Sequence, residues 1–518
     1  MHCMNNEKYD IAIIGLGPVG CTAAILLAKA GLKIAAIERD AEVYKLPRAV
    51  NLDGEIVRAM QPAGLAEDLN ALLQPVREGD RVGFANSRRE FLFGNYTAKF
   101  GANGWQPMNM FDQPEVEGFL RDTALAQDNV DAFIGFSATA IATKNDTVHV
   151  DVEAGERTEQ ICADYLIACD GASSFTRKSL DIGWIDLGYD HDWLVVDVIT
   201  KPGHTLNNTT LQVCDPDRIS TYVCTKDPFR RWEFKLNDGE TWDEMLKPER
   251  IHSLIDPWTP RGTYEIRRAA MYQFHAATAD TWRVGRIFIA GDAAHQTPPF
   301  LGQGMNTGLR DVINLAWKLP MVINGAAGEE LLDSYQAERD AHAHDLVDWA
   351  VSIGRLMEHL AAVEAAERTG DTRPETPPKL RSAGYGQGRE QPPLRKGVLI
   401  EEQVRHDGAV GYLFSQPVVS QANDEVRMDE ILGPGFAVVG KTAADVQLSA
   451  ASKLILDQLG ATILSLEGLH EVRGHFDRVF EFADAVIVRP DRYVFGHTDD
   501  QHSLDQLVDI LATKLCLT

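Results

Sequence analysis

The chain has 518 residues, 44% apolar and 24% charged, with a formal net charge of −26. That length exceeds what one hydrophobic core supports, so about three domains are expected, and the balance is that of a globular chain. The negative charge disfavours nucleic acid or an anionic membrane as the main partner, and no apolar run approaches the ~18 residues of a membrane span.

The N-terminus, MHCMNNEKYD, has no basic region followed by an apolar core, so no signal peptide is expected. Seven scattered cysteines without a Cys-x-x-Cys pair give no support to a zinc or dithiol site and fit a reducing cytoplasm.

Residues 9–40 form one readable unit. Ile11 to Ile14 is a short apolar strand, Gly15, Gly17 and Gly20 give G-x-G-x-x-G, and Thr22 to Ala30 is an Ala/Leu-rich helix. Gly31 stops that helix, and Lys33 to Ile37 is a second strand ending in Glu38. The first glycine allows a tight turn, the second lets a pyrophosphate approach the backbone, and the third lets helix pack on strand. Glu38 is placed to accept hydrogen bonds from a ribose. Dinucleotide binding is the reading; the unit alone does not decide between NAD and FAD, and a position so near the N-terminus of a long chain is the usual layout of FAD enzymes.

In 45-KLPRAVNLDGEIVRAM-60, Arg48 follows a proline and Asp53-Gly54 precedes a helical pattern, where Asp53 can serve as an N-cap. Residues 111–126 form another helix, capped by Asp112 or Gln113. Residues 130–170 alternate as strands do and run into 169-CDGASSFTRKSL-180. Asp170 and Gly171 therefore lie at a strand end before a helix, suited to a cofactor ribose or to a simple turn.

Residues 184–275 read as strands separated by turns, a mainly antiparallel sheet inserted between two halves of the nucleotide domain. Such a sheet offers a wide face for an apolar pocket. The stretch 287-IFIAGDAAHQTPPFLGQGMNTGLRDVINLAWKL-319 then gives strand, loop and helix. Its helix N-terminus carries glycines and no charge, so its free N–H groups favour a negative group. Residues 320–385 read as helical, 371–396 as a Pro/Gly/Arg-rich linker, and 397–518 as a separate α/β domain. His470, Glu471 and His475 miss metalloprotease spacing by one residue, and no metal site is expected.

Three separated motifs now stand together: GLGPVG with Glu38, CDGASSFTR, and AGDAAHQTPPFLGQGMN. Together they resemble the single-component, FAD-dependent aromatic monooxygenases of the p-hydroxybenzoate hydroxylase class, over roughly residues 9–350. PRAVNLDGE, DWLVVDV, QVCDPDR, RRWEF, RRAAMYQFHA and RPDRYVFG are similar to the 3-(3-hydroxyphenyl)propionate hydroxylases and related phenol or polyketide hydroxylases. The resemblance implies an α/β fold. A Rossmann-like FAD-binding domain (1–183 and 276–370) carries the substrate sheet (184–275), followed by the linker and a thioredoxin-like C-terminal domain (397–518) without redox cysteines.

It also implies roles. Gly15, Gly17, Pro18 and Gly20 hold the FAD pyrophosphate, and Glu38 with Arg39 the adenosine end. Arg48 and Gln113 lie near the pyrophosphate and ribityl chain, Asp170 and Gly171 serve FAD and the nicotinamide, and Asp292 holds the ribityl chain. Pro299, Gly302, Gly304, Met305 and Asn306 lie beside the flavin ring. One departure is Ser173 where Asn, and Thr176 where Val, are common.

The implied reaction takes NADH or NADPH and molecular oxygen and hydroxylates a phenol ortho to its hydroxyl, through a flavin C4a-hydroperoxide. Enzymes of this class are often homodimers, the oligomeric state here is left open, and the cysteine usage makes the cytoplasm the expected location. A base near the phenol helps, because phenolate is the better nucleophile. Asp53 and Tyr272 are the candidates, His275 a third. Their structural alternatives are a cap, a sheet aromatic and a satisfied histidine. A polyketide hydroxylase of the same class and a flavin-binding redox sensor without turnover are the other readings. A flavin halogenase is set aside for want of its Trp-x-Trp-x-Ile-Pro segment.

Overall fold

The computed structural model describes residues 8–96, 100–377, 391–421 and 424–517. Its first sheet is built on Tyr9–Ile14, whose apolar run from Ile11 to Ile14 is buried on both faces as a parallel sheet requires. Ile34–Glu38 pairs parallel on one side of it and Arg157–Ala168 on the other. Val130–Ile134 extends the sheet beyond the former, and Ile287–Ile289 beyond the latter. The helices Pro18–Lys29, Gln113–Leu125 and Gly304–Ile323 pack together. Strand ends Ile14, Ala168 and Ile289 thus share one edge, and all three chemical motifs emerge there.

The second sheet has eight strands. The antiparallel pair Trp184–Thr200 and Tyr264–Ala279 forms its spine, followed in order by Phe229–Lys235, Ser220–Val223 and Thr210–Val213. It also recruits the hairpin Arg81–Ala85 and Phe91–Tyr96 through parallel pairing of Val82–Ala85 with Thr210–Val213. The boundaries drawn from sequence omit that hairpin, because a strand's partner in a sheet is a long-range choice that local alternation does not encode.

The side chains of this sheet alternate. Leu194, Val196, Tyr222, Trp232 and Phe234 face a core closed by Ile251 and Ile255 of the helix Pro248–Ile255. Val195, Thr221, Arg231 and Glu233 take the opposite face.

The helix Ser334–Thr369 ends at Gly370 in the left-handed conformation, earlier than the helical reading to 385, and Pro374, Pro377 and their neighbours follow. Residues 378–390 of the expected linker lie outside the described residues. Beyond them, Ala437–Gly440, the helix Ala450–Gln458 and the parallel strand Thr462–Ser465 form a βαβ unit. Ala485–Val488 and Val494–His497 then add antiparallel, and the helix Leu504–Lys514 starts on a Ser503–Gln506 capping box.

This region is tied to the rest by charge as well as by packing. Buried Glu338 meets Lys318 at 2.9 Å and Arg489 at 2.8 Å, and Arg58 meets Asp429 at 2.7 Å. His470–Arg473 is a strand, and His475 is exposed beside Glu471. Among the described residues Cys21, Cys169, Cys214, Cys224 and Cys516 are free thiols, and Cys162 is disulfide-bonded.

Candidate active site

The glycine turn is closed by contact. Gly15 has φ +93, and a Cβ at Gly20 would lie 1.8 Å from the Gly15 carbonyl oxygen, so neither position admits a side chain. At Gly17 a Cβ would meet nothing within 4 Å, which leaves the open side of the turn free for a ligand. The helix Pro18–Lys29 starts there with no side-chain cap and no acid in its first turn. Its unpaired N–H groups suit a phosphate.

Glu38 is fixed at the end of the second strand by N–H donors from Leu16 at 2.6 Å and Asp40 at 2.8 Å. Asp170 accepts from the Thr176 N–H at 2.9 Å through one oxygen, and its buried Oδ1 has no protein partner. Gln113 accepts from the N–H groups of Arg48 and Ala49 at 3.1 and 2.7 Å, fixing that loop over the crevice. A strand-end acid, an open glycine turn and an orphaned carboxylate oxygen are the donor and acceptor set that a dinucleotide needs.

The Gly291–Asp292 loop is held from behind. Asp311, on the helix Gly304–Ile323, accepts from the Gly291 N–H at 3.0 Å and lies 2.8 Å from His295 and 3.0 Å from Arg339. Burial alone would raise the Asp311 pKa, but His295 and Arg339 outweigh it and hold the carboxyl below its usual range. Tyr335 adds a hydrogen bond to the Ile289 carbonyl at 2.8 Å. Sequence reading singled out none of Asp311, Tyr335 and Arg339; an acid seven residues into a glycine-led helix was the available signal. The loop thus presents Asp292 to the crevice, its carboxyl pushed up by the surrounding protein.

One cavity of about 440 Å³ runs from this crevice to the second sheet. Gly17, Pro18, Arg48, Gln113, Gly171, Asp292, Pro299, Gly302, Gly304 and Met305 line its near end, all singled out in the sequence. Tyr272 lines the far end with Phe274, Val195, Val223 and Phe300. Gly15, Gly20, Glu38, Asp170 and Asn306 stand outside that lining, and Arg39 is exposed beside Asp40. Asn306 bonds the carbonyls of Asn51 and Gly302 at 3.1 and 2.9 Å, tying the loop to the helix.

The far end also carries charge that sequence reading missed. Across the sheet, Gln212, Thr221, Glu233 and Val195 occupy one row, and Val223, Arg231, Asp197 and Arg268 the next. Arg231 pairs with Asp197 at 2.7 Å, and Arg268 reaches the same carboxylate at 3.5 Å. Glu233 is 4% exposed, and the nearest guanidinium nitrogen, of Arg231, is 3.9 Å away. Burial pushes its carboxyl up to about 7 against the pull of Arg231. The available signal was RRWEF, where charged residues alternate with large aromatics inside a strand.

Two of the three catalytic candidates lie away from the cavity lining. Asp53 is 7% exposed and outside the cavity lining; its carboxylate pairs with Arg310 at 2.9 Å and accepts from Gln303 at 2.8 Å. It occupies an N-cap position without making the cap hydrogen bond, because the charge of Arg310 is the stronger partner. His275 also lies outside the lining, its side chain 44% exposed and 3.6 Å from Asp190. It falls on the solvent side of the sheet because strand residues alternate in direction.

Residues 8–350 match the FAD binding domain family, and residues 411–514 match the HcaD C-terminal domain. The 3-(3-hydroxy-phenyl)propionate/3-hydroxycinnamic acid hydroxylase of Klebsiella pneumoniae subsp. pneumoniae is 33% identical over 437 residues, 83% of this chain and 78% of that protein. Its Escherichia coli O139:H28 counterpart is 30% identical over 540 residues, covering 99% of this chain and 96% of that protein. Among solved structures, aklavinone-11 hydroxylase with FAD and aklavinone has a TM-score of 0.79 at 23% identity, covering 99% of this chain and 100% of that one. The flavin-dependent monooxygenase PieE, in complex with FAD and substrate, has a TM-score of 0.77 at 19% identity, with 99% and 100% covered. At those identities the likeness is one of fold.

Proposed function

The chain belongs to the FAD binding domain family as an FAD-dependent aromatic hydroxylase, and from that premise we propose that it hydroxylates a phenol of the 3-(3-hydroxyphenyl)propionate type. The hydroxyl enters ortho to the one already present, with NADH or NADPH as electron donor and molecular oxygen as co-substrate. The observation that carries this reading is the single cavity joining the glycine turn and Asp292 to a buried sheet face.

FAD, when bound, supplies the two-electron reduction and the activation of oxygen. The chain supplies position and field. Gly17 and the first helix would receive the pyrophosphate, Glu38 and Asp170 would offer acceptors to ribose hydroxyls, and Asp292 would offer one to the ribityl chain. The helix Gly304–Ile323 has no acid in its first turn and no side-chain cap, so its N–H groups would favour negative charge on a reduced flavin held in this crevice. Val82, Val195, Val223, Phe274, Phe300 and Leu301 surround the charged cluster of the far end with apolar wall and limit the water that enters. Tyr272 is stacked on Phe274 and lines the same space, where its hydroxyl can orient a phenol.

The test is a panel of phenols given to the FAD-loaded protein. The expected result is NADH or NADPH oxidation and oxygen uptake that rise with one phenol, and a product heavier by one oxygen. Nicotinamide oxidation indifferent to every phenol would point to a flavin-binding sensor instead.

A further inference from the structure

We propose that Glu233 is the catalytic base of the cavity, its carboxylate accepting the hydrogen of the substrate's ring hydroxyl. The proposal rests on the hydroxylase reading above. It starts from placement: Glu233 is carried by the strand Phe229–Lys235 on the cavity face, paired in register with Thr221 on one side and Val195 on the other. Among the described residues no hydrogen bond satisfies its carboxylate. Its neighbours are committed elsewhere. Thr221 donates its hydroxyl to Gln212 at 2.7 Å, Gln212 donates to the Phe300 carbonyl at 3.2 Å, and Arg231 is bound to Asp197 and to the Arg48 carbonyl. A buried carboxylate left short of donors on a cavity wall is an acceptor for a ligand hydroxyl.

The charges around it make the transfer feasible. Arg231, on the same strand, and Arg268, two strands away, face Asp197 and Glu233, so the cluster is neutral when Glu233 is ionised. In the step, the substrate O–H bond breaks and an O–H bond to Glu233 forms. The electron pair stays on the ring oxygen and raises the electron density of the ring. One negative charge moves from carboxylate to phenolate beside the same two guanidinium groups, so no new ion is buried. Burial already holds the acid near neutrality, where a base both exists ionised and takes a proton. Asp292, the other carboxyl of the lining, belongs to the crevice at the near end.

The experiment compares wild type, Glu233→Gln and Glu233→Asp as FAD-loaded holoenzymes. With 3-(3-hydroxyphenyl)propionate, wild-type kcat/KM is expected to rise as pH passes through about 7. Glu233→Gln is expected to retain FAD, to lose that limb, and to lower kcat about 100-fold. Ring-fluorinated analogues whose hydroxyl is already ionised at the assay pH should recover most of that loss, which a structural lesion would not permit. Glu233→Asp should keep the limb at a reduced rate.

A Glu233→Gln enzyme with wild-type kcat and an unchanged pH limb overturns the assignment and leaves the hydroxylase reading intact. Should no phenol be turned over, the hydroxylase reading falls and binding decides the assignment. Phenol affinity, read from flavin absorbance, must then change through the same pH in wild type and stay flat in Glu233→Gln; equal profiles overturn it.

Discussion

Glu233 carries a stability consequence separate from its chemistry. Its folded pKa is raised from 4.5 to about 7 by burial. The folded protein therefore holds a proton that the unfolded chain releases. The stability of the neutral acid is present below about 4.5 and lost as pH rises through about 7. Glu233→Gln should then raise the unfolding free energy at roughly pH 8 by on the order of 3 kcal/mol, seen as a higher melting temperature, and change it little at roughly pH 4. Thermal unfolding at the two pH values measures this, and an equal effect at both would contradict it. A variant that is more stable and less active marks a residue kept for function. Gly15, Gly17 and Gly20 were readable from the sequence because their constraint is local, a turn and a close approach within a few residues. The ion pair of Asp53 was not readable for the opposite reason: its partner Arg310 is 257 positions away.

At the scale of elements, the helix Gly304–Ile323 decides whether the cofactor crevice forms. A Cβ at Gly308 would meet Gly291 Cα and Val19 Cγ2, each at 2.8 Å. Gly308→Val is therefore expected to push the helix off the Asp292 loop, destabilise the protein by about 1–3 kcal/mol, and weaken FAD binding. Flavin fluorescence on dilution reads the affinity, and an unchanged FAD affinity would show that the contact does not set the crevice. The helix itself was legible, since Met305, Leu309, Val312, Ile313, Ala316 and Leu319 recur at helical spacing, and Leu309, Val312 and Leu319 are buried. Which residues braced it was not. Arg310 reaches Asp53 and Glu55 from one side and Asp311 reaches His295 and Arg339 from another, all by long-range pairing. Arg310→Met would leave two buried acids without their cation, at a cost of about 3–5 kcal/mol, measurable by denaturant unfolding.

At the scale of the whole molecule, the C-terminal region is a structural partner of the flavin half. Trp317, Ala327 and Leu331 share a core with Phe436, Val438, Leu456 and Leu507. Burial would raise the Glu338 pKa, but Arg489 and Lys318 outweigh it and hold the carboxyl down to about 2. That contribution is present above about 4.5 and fades as pH falls through about 2. A chain ended after Gly370 loses Arg489 and exposes that apolar face. It is expected to aggregate and to bind FAD poorly. Size-exclusion chromatography with a flavin absorbance ratio tests this, and a monodisperse, FAD-bound fragment would contradict it.

The sequence by itself determined the nucleotide half: strand, glycine turn, helix and terminal acid are specified by short-range sterics, and three such motifs at wide spacing pointed to one flavin site. It also determined that a sheet lay between them. Only the tertiary structure decided what that sheet presents. Alternation along RRWEF says that two faces differ, not which one looks into a cavity. The answer depends on Trp232 and Phe234 finding the helix Pro248–Ile255 behind them, which turns Arg231 and Glu233 toward the cavity. Burial and charge partners, and hence the proton affinity of Glu233, exist only once strands from positions 81 to 279 have been brought together.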